Sequence, residues 1–300
     1  FGSSRSSERR ARARPTQPDH SARSALPRRA TPYAGAPFSL SAAMKFCLKL
    51  VRSSVHEHCR TEPEDYLAAS SELLFATMVV SFCITKLLNP QQLLDNPIRR
   101  MVGYNNPCVF WDEKPATLVA AWMFAPMIYL GIRYAVTDSM RAKLSNPDDP
   151  AKRNTLYLYL NWAYAISQII CSGIFVVTPQ DGMLTSMRVH SFCFVQLIPM
   201  LGLAIAANYH EGYKNGVPFS NAQWIGLALI CVLTVLETFF ASTAVFLYKN
   251  DGVFVHDPTL MQMIDYGWFA SLPIAAHYMP RSPDIFEDFS LAPDENKELP

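Results

Sequence analysis

The apolar residues of this chain are gathered into six runs, each about twenty residues long and bounded by charges or prolines. A helix needs roughly 20 predominantly apolar residues to cross about 30 Å of hydrocarbon, and a soluble domain has no use for six such runs. The predicted spans are Ser70–Leu88, Ala116–Val136, Leu156–Val177, Met187–Ala207, Gln223–Leu247 and Leu260–Met279. Short connections place successive spans side by side, so the predicted fold is all-α, a compact antiparallel bundle of about six transmembrane helices.

The first and last runs are less apolar than the other four. Glu72 and Lys86 stand in the first, and Asp265, Pro273 and His277 stand in the last. Charged residues are costly in hydrocarbon. A core of four spans with two interfacial helices is therefore the alternative architecture.

Lysine and arginine are distributed unevenly among the loops. They are concentrated before the first run and between the second and third: Lys45, Lys49, Arg52, Arg60, Arg141, Lys143, Lys152 and Arg153. Cytoplasmic loops retain positive charge. Both termini are predicted to be cytosolic.

The two ends of the chain differ in composition from the membrane region. Residues 1–43 carry eight arginines and two acidic residues with no apolar run, which predicts a disordered leader. This leader is either a mitochondrial transit peptide or read-through of an untranslated region ahead of Met44. Residues 44–69 form a predicted cytosolic segment, 70–279 the bundle, and 280–300 an acidic, flexible cytosolic tail.

The loop before the second run is rich in turn formers and aromatic residues, from Asn105 to Pro115. We predict that it forms an ordered cap on the membrane surface. Asp112 and Glu113 favour the N-terminus of the following helix through its dipole, and Pro115 suits its first turn.

Motifs for soluble catalysis or metal binding are missing from the sequence. There is no glycine-rich phosphate loop, no nucleophile elbow and no His-Glu zinc helix, and the seven cysteines show no zinc-site spacing. We predict no metal, no cofactor and no nucleic-acid partner. The predicted partners are membrane lipids.

Three polar residues fall near the middle of the third, fourth and fifth spans: Gln168, Gln196 and Glu237. Polar groups at this depth usually face the bundle interior or a water-filled cavity. One interpretation is a hydrogen-bonded layer that stabilises packing, with Glu237 neutral. The other is a path for protons, ions or small solutes, in which Glu237 binds the cation.

A second polar group is predicted at the non-cytosolic side, around Asp181, Arg188, His190 and Asp265. A histidine beside a carboxylate can act as a general acid or base, and an arginine can bind a lipid phosphate. Structural pairing at the span ends is the third interpretation. The sequence does not decide among catalysis, headgroup contact and pairing.

Several short motifs resemble the DRAM-type family of six-span proteins, the damage-regulated autophagy modulators, and its lipid-remodelling relatives. The matching segments, from the second span to the C-terminal tail, are Arg133-Tyr134, Asn146-Pro147, 173–180, Val189-His190, 264–268 and 283–286. Two features depart from the family pattern. Asp265-Tyr266 stands where Glu-Trp is expected, and the first outer loop lacks a Ser-Gly-Pro-Pro-Glu type of sequence.

The resemblance implies a non-catalytic regulator of membrane lipid organisation, trafficking or autophagy, in endomembrane, lysosomal or plasma membranes. The resemblance carries over two site residues, His190 and Asp265, and their roles in the family do not identify a reaction. The alternatives from other classes are a transporter or channel using Gln168, Gln196 and Glu237, and a lipid-modifying enzyme using His190. The fourth hypothesis is a subunit of the mitochondrial inner membrane. It requires that residues 1–43 are translated and act as a transit peptide.

Overall fold

The structure is a computed structural model, and it describes residues 44–55, 61–144, 155–177, 179, 184–214, 216–249 and 251–280. Helices fill most of this part of the chain, and it contains no β-strand, which confirms the all-α fold. The α-helices are α1 Lys45–Val55, α2 Pro63–Leu88, α3 Pro97–Val102, α4 Ala116–Leu144, α5 Thr155–Cys171, α6 Leu184–Val195, α7 Leu197–Lys214, α8 Asn221–Leu247 and α9 Pro258–His277. Three short 3₁₀ helices cover Pro90–Leu93, Pro107–Trp111 and Ser172–Phe175. The predicted leader and most of the predicted tail lie outside the described residues.

Within the described residues, five stretches are long and apolar enough to cross a membrane, so the chain is a helical membrane protein. They are Pro63–Leu88, Ala116–Arg141, Leu156–Phe175, Leu184–Lys214 and Asn221–Leu247. Each contains most of one predicted span. The sixth prediction, Leu260–Met279, also forms a helix, α9, but this helix is not among the five.

The position of α9 explains why it is less apolar than the other long helices. It packs against α8 and α2, and Trp268, Phe269 and Leu272 on it are fully buried. A helix surrounded by protein can carry polar side chains that a lipid-facing helix cannot. Asp265 and Ser271 are accordingly buried on α9.

The helix α2 begins at Pro63, seven residues before the predicted span. Its first turn is set by a capping box, in which Asp65 Oδ2 accepts a hydrogen bond from the Glu62 backbone N–H at 3.0 Å, and by Pro63 at the first helical position. The boundary predicted at residue 69 therefore falls inside α2. The apolar run did not extend to these turns because Glu64 and Asp65 are charged.

Glu72, the charge that weakened the first predicted span, has a structural role. Its carboxylate accepts hydrogen bonds from the backbone N–H groups of Phe46 at 3.1 Å and Cys47 at 3.0 Å. These are the unpaired donors at the N-terminus of α1, where a negative charge is favourable. The contact attaches α1 to α2.

The predicted fourth span is divided into α6 and α7 at Gln196. Pro199 has no backbone N–H and cannot bond the carbonyl of Val195, so the helix breaks there. The side-chain amide of Gln196 donates instead to the carbonyls of Ser167 and Cys193, both at 2.9 Å.

Candidate functional site

The three residues of the predicted polar layer make their hydrogen bonds to other partners. Gln196 bonds backbone carbonyls, Gln168 lies beside Gly131 and Tyr164, and Glu237 contacts Asp265. The side-chain oxygen of Gln168 has no partner in the described part of the chain. The helices therefore place Glu237 with a carboxyl group from α9 rather than with the two glutamines.

Glu237 and Asp265 form a buried carboxyl pair between α8 and α9, with both residues at most 4% exposed. Asp265 Oδ2 also accepts hydrogen bonds from the hydroxyl of Tyr104 at 2.8 Å and the amide of Asn106 at 2.5 Å. Two carboxylates in contact away from water cannot both be ionised at low cost, so the pair shares a proton.

A cavity of about 40 Å³ adjoins this pair, enough for one to three water molecules by volume. Burial and the Asp265 carboxylate raise the pKa of Tyr104, so its hydroxyl is a stable donor. The neighbouring residue of α9, Tyr266, donates to the carbonyl of Asn105 at 2.7 Å. Together Asp265 and Tyr266 attach the loop at residues 104–106 to the bundle.

The predicted headgroup patch is not assembled in the structure. Arg188 donates to the carbonyls of Val245, Phe246 and Tyr248, which end α8. His190 lies beside Asp112, Asp265 lies with Glu237, and Asp181 is outside the described residues. This arrangement favours structural pairing as the role of Arg188, because its guanidinium group caps the C-terminal carbonyls of α8.

His190 and Asp112 form a buried pair between α6 and the loop before α4, with His190 Nε2 3.3 Å from Asp112 Oδ1. His190 Nδ1 lies 2.7 Å from the carbonyl of Val177, so Nδ1 carries a proton. Burial raises the pKa of the Asp112 carboxyl, and the contact with His190 offsets part of the rise. His190 Nε2 and the Asp112 carboxyl group therefore face each other within a buried polar contact.

The centre of the predicted cap loop is buried, whereas its end at Lys114 and Pro115 is exposed. Pro107–Trp111 is a 3₁₀ helix whose five residues are all buried, with the Asn106 side chain accepting from the Cys108 backbone N–H at 2.8 Å. Trp111 packs against Phe124 of α4 and Phe194 of α6. The cap is thus held by packing at Trp111 and by polar contacts on either side.

A buried charged cluster, which the sequence did not predict, lies at the opposite end of the bundle. Arg141 of α4 pairs with Glu64 of α2, with Asp138 one turn earlier, and with Glu211 of α7 at 2.9 Å. Asn161 of α5 donates to Asp138 at 2.7 Å. The guanidinium group of Arg141 connects α2, α4 and α7, and Asp138 adds α5 through Asn161. The sequence signal was the Asp138–Arg141 spacing of three residues, which places both on one helix face.

An open groove of about 560 Å³ lies between α7 and α8. Its lining is almost entirely apolar or small, with hydroxyl groups along α8: Pro199, Gly202, Leu203, Ala206, Cys231, Thr234, Val235, Thr238, Phe239, Ser242 and Thr243. The two helices lie close together at Gly202, where a Cβ atom would lie 2.4 Å from Thr234 Cγ2. This approach requires glycine and forms the floor of the groove.

The α8 side of the groove lies at the protein surface, where Val235 and Phe239 are exposed. Its α8 wall belongs to the most apolar of the five candidate spans, which is also the one least covered by the rest of the protein. Within the described residues, no cluster of His, Cys, Asp and Glu could hold a metal ion. No protein-family model, curated protein or solved structure matches the chain.

Proposed function

We propose that this protein binds a membrane lipid in the groove between α7 and α8 and regulates lipid organisation without catalysing a reaction. The groove of about 560 Å³ in the most lipid-exposed candidate span is the observation that carries the proposal. At that depth the surrounding medium consists of acyl chains, which match the apolar lining. A DRAM-type relationship, with a role in trafficking or autophagy at endomembrane, lysosomal or plasma membranes, belongs to the same proposal.

The size of the groove suits one acyl chain. A cavity of about 150 Å³ holds a six-carbon ring, so 560 Å³ corresponds to roughly twenty carbons. Along α8 the lining runs from Cys231 to Thr243, which is about 18 Å for twelve steps of 1.5 Å. Both measures agree with a chain lying along the helix.

The burial of the His190–Asp112 pair argues against the enzyme alternative. Both side chains are at most 2% exposed, and the ring is fixed by the carbonyl of Val177. A general acid or base must reach the proton of its substrate. The pair instead attaches the cap loop to α6.

Two valines of α8 provide a matched test of the groove. Val235 lines it and Val232 does not, and both are well exposed, at 68% and 58%. Val235→Trp fills the groove and is expected to reduce the lipid retained after detergent extraction at least fivefold. Native mass spectrometry of the purified protein measures the retained lipid.

Val232→Trp adds the same bulk on the same helix and should leave retention at the wild-type level. Equal retention by both variants and the wild type would refute lipid binding in the groove. A similar loss in both variants would point to a general effect of tryptophan on α8.

Transport coupled to protons is a second candidate, favoured by the Glu237–Asp265 pair and its adjoining cavity. Glu237→Gln keeps the shape and hydrogen bonding but removes the ionisable proton. If the pair only fastens α8 to α9, proton flux into proteoliposomes stays at the level of empty vesicles for both the wild type and the variant. Flux in the wild type that is lost in the variant would establish the transport function instead.

A further inference from the structure

We infer that α1 is an interfacial helix that binds anionic phospholipids at the surface of the membrane. The inference concerns a surface other than the groove and does not rest on lipid binding there. In this arrangement Leu48 and Val51 enter the boundary between head groups and acyl chains. Lys45 and Lys49 lie at the level of the lipid phosphates.

One face of α1 is occupied by the bundle. Phe46 is buried, and its ring lies edge-on to that of His277 at the end of α9, with 6.2 Å between the centroids. Cys47 and Leu50 pack against the same core. At about 100° per residue, these three positions cover roughly a third of the helix circumference. The remaining part of α1 faces away from the core.

The face away from the core carries two large apolar side chains. Leu48 is 47% exposed and Val51 is 63% exposed. They are three residues apart, so they lie side by side on the helix surface. Because α1 packs against α2, which is long and apolar enough to cross a membrane, lipid is available to cover this apolar strip.

A basic strip accompanies the apolar one. Lys45 and Lys49 are four residues apart on one side of α1, and the helix sequence also contains Arg52 and no acidic residue. Lys49 pairs with Asp65 of α2. Asp65 and Glu72, the acidic residues of α2 that contact α1, are both buried, whereas the Lys49 side chain is 35% exposed. The charge that α1 presents to its surroundings is therefore positive.

The contacts with α2 place α1 at the end of a membrane helix. α2 has 26 residues, about 39 Å at 1.5 Å per residue, so it is longer than the roughly 30 Å of hydrocarbon. α1 contacts its N-terminal part, through Asp65 and Glu72. This end is predicted to be cytosolic, and the cytoplasmic leaflet contains anionic lipids. An apolar strip beside a basic one is typical of helices that lie at such a surface.

The test uses phosphatidylglycerol and phosphatidylcholine probes with identical acyl chains, each carrying a diazirine close to the glycerol. The full chain is irradiated in nanodiscs at low salt, and mass spectrometry measures the labelling of each residue. Leu48 and Val51 should be labelled about fivefold more by the phosphatidylglycerol probe, the factor that one basic side chain contributes at an anionic surface. Ile225 is 67% exposed near the start of α8, a helix without basic residues, and should be labelled equally by both probes.

Lys45→Gln/Arg52→Gln removes two positive charges from α1 and keeps the Lys49–Asp65 pair. In this variant the two probes should label Leu48 and Val51 equally. Arg100→Gln/Lys114→Gln is the matched control, because it removes two exposed basic residues outside α1. It should keep the fivefold ratio.

Equal labelling of Leu48 and Val51 by the two probes in the wild type would overturn the assignment of anionic lipid. Absence of label at both residues, with Ile225 labelled, would show that protein rather than lipid covers this face of α1 and would overturn the inference as a whole. A fivefold ratio that persists in Lys45→Gln/Arg52→Gln would exclude the basic residues of α1 as its source. Lipid retention in the groove is measured separately, so its loss in Val235→Trp leaves these outcomes unchanged.

Discussion

Arg141→Met is expected to destabilise the protein by about 3–5 kcal/mol, the range for removing one partner of a buried ion pair. Arg141 is 3% exposed and pairs with Glu64, Asp138 and Glu211. Methionine keeps most of the stem but leaves three carboxyl groups together without a cation. They must then bind protons or separate, and either outcome loosens the contacts among α2, α4 and α7. Equilibrium unfolding in mixed micelles gives the free energy.

Two further variants separate charge from geometry. Arg141→Lys keeps the charge but has no planar fork for several carboxylates, so its stability should fall between those of the wild type and Arg141→Met. Arg100→Met removes an exposed arginine that pairs with Asp95, where both side chains are about two-thirds exposed, and should leave stability unchanged. An Arg141→Met protein as stable as Arg100→Met would show that the cluster does not hold the helices together.

Trp111→Ala should cost a similar amount, about 3–5 kcal/mol, because it opens a cavity between the cap and the bundle. Trp111 is 1% exposed, and its ring centroid lies 5.5 Å from that of Phe124 and 6.2 Å from that of Phe194. Its indole N–H has no partner among the described residues. The loss of packing is therefore the whole expected effect. The measurement is the free energy of unfolding, together with proteolysis of the loop.

Trp122→Ala provides the control for the loss of a tryptophan as such. Trp122 lies within α4 and its side chain is 78% exposed. Its removal should therefore change stability little. Faster cleavage within residues 104–112 is expected only in Trp111→Ala. Equal cleavage in both variants would mean that the cap is not fastened by Trp111.

Apolar runs were sufficient to predict where the long helices lie because hydrocarbon length imposes a simple requirement on sequence. The predictions were less accurate where protein, rather than lipid, surrounds a helix. The first turns of α2 and the polar residues of α9 are buried against neighbouring helices, so their polarity does not mark a boundary. Pro199 was recognised as a possible kink, but the sequence did not show that Gln196 would bond the carbonyls at the break.

The sequence identified several polar residues of the candidate sites, but it did not show which of them contact each other. Arg141 was counted as a loop charge, whereas the structure places it at the end of a buried helix face. Asp112 was assigned to the dipole of α4, and it contacts His190 of α6. Such pairings depend on the rotation and depth of two helices, which the composition of either one does not determine.

The groove could not be predicted for the same reason. Gly202 and Thr234 are far apart in sequence, and their close approach creates the floor. The sequence shows small and hydroxylated residues on two helices, but only the packed pair shows that they line one cavity.

The most direct test of lipid binding in the groove is photocrosslinking with a phospholipid that carries a diazirine midway along one acyl chain. The protein is irradiated in nanodiscs, and mass spectrometry locates the modified residues. Lipid held in the groove should label Leu203, Ala206 and Val235 several times more than Val232, although Val232 and Val235 are both exposed on α8. Labelling that follows exposure alone, with Val232 and Val235 modified equally, would contradict lipid binding between α7 and α8.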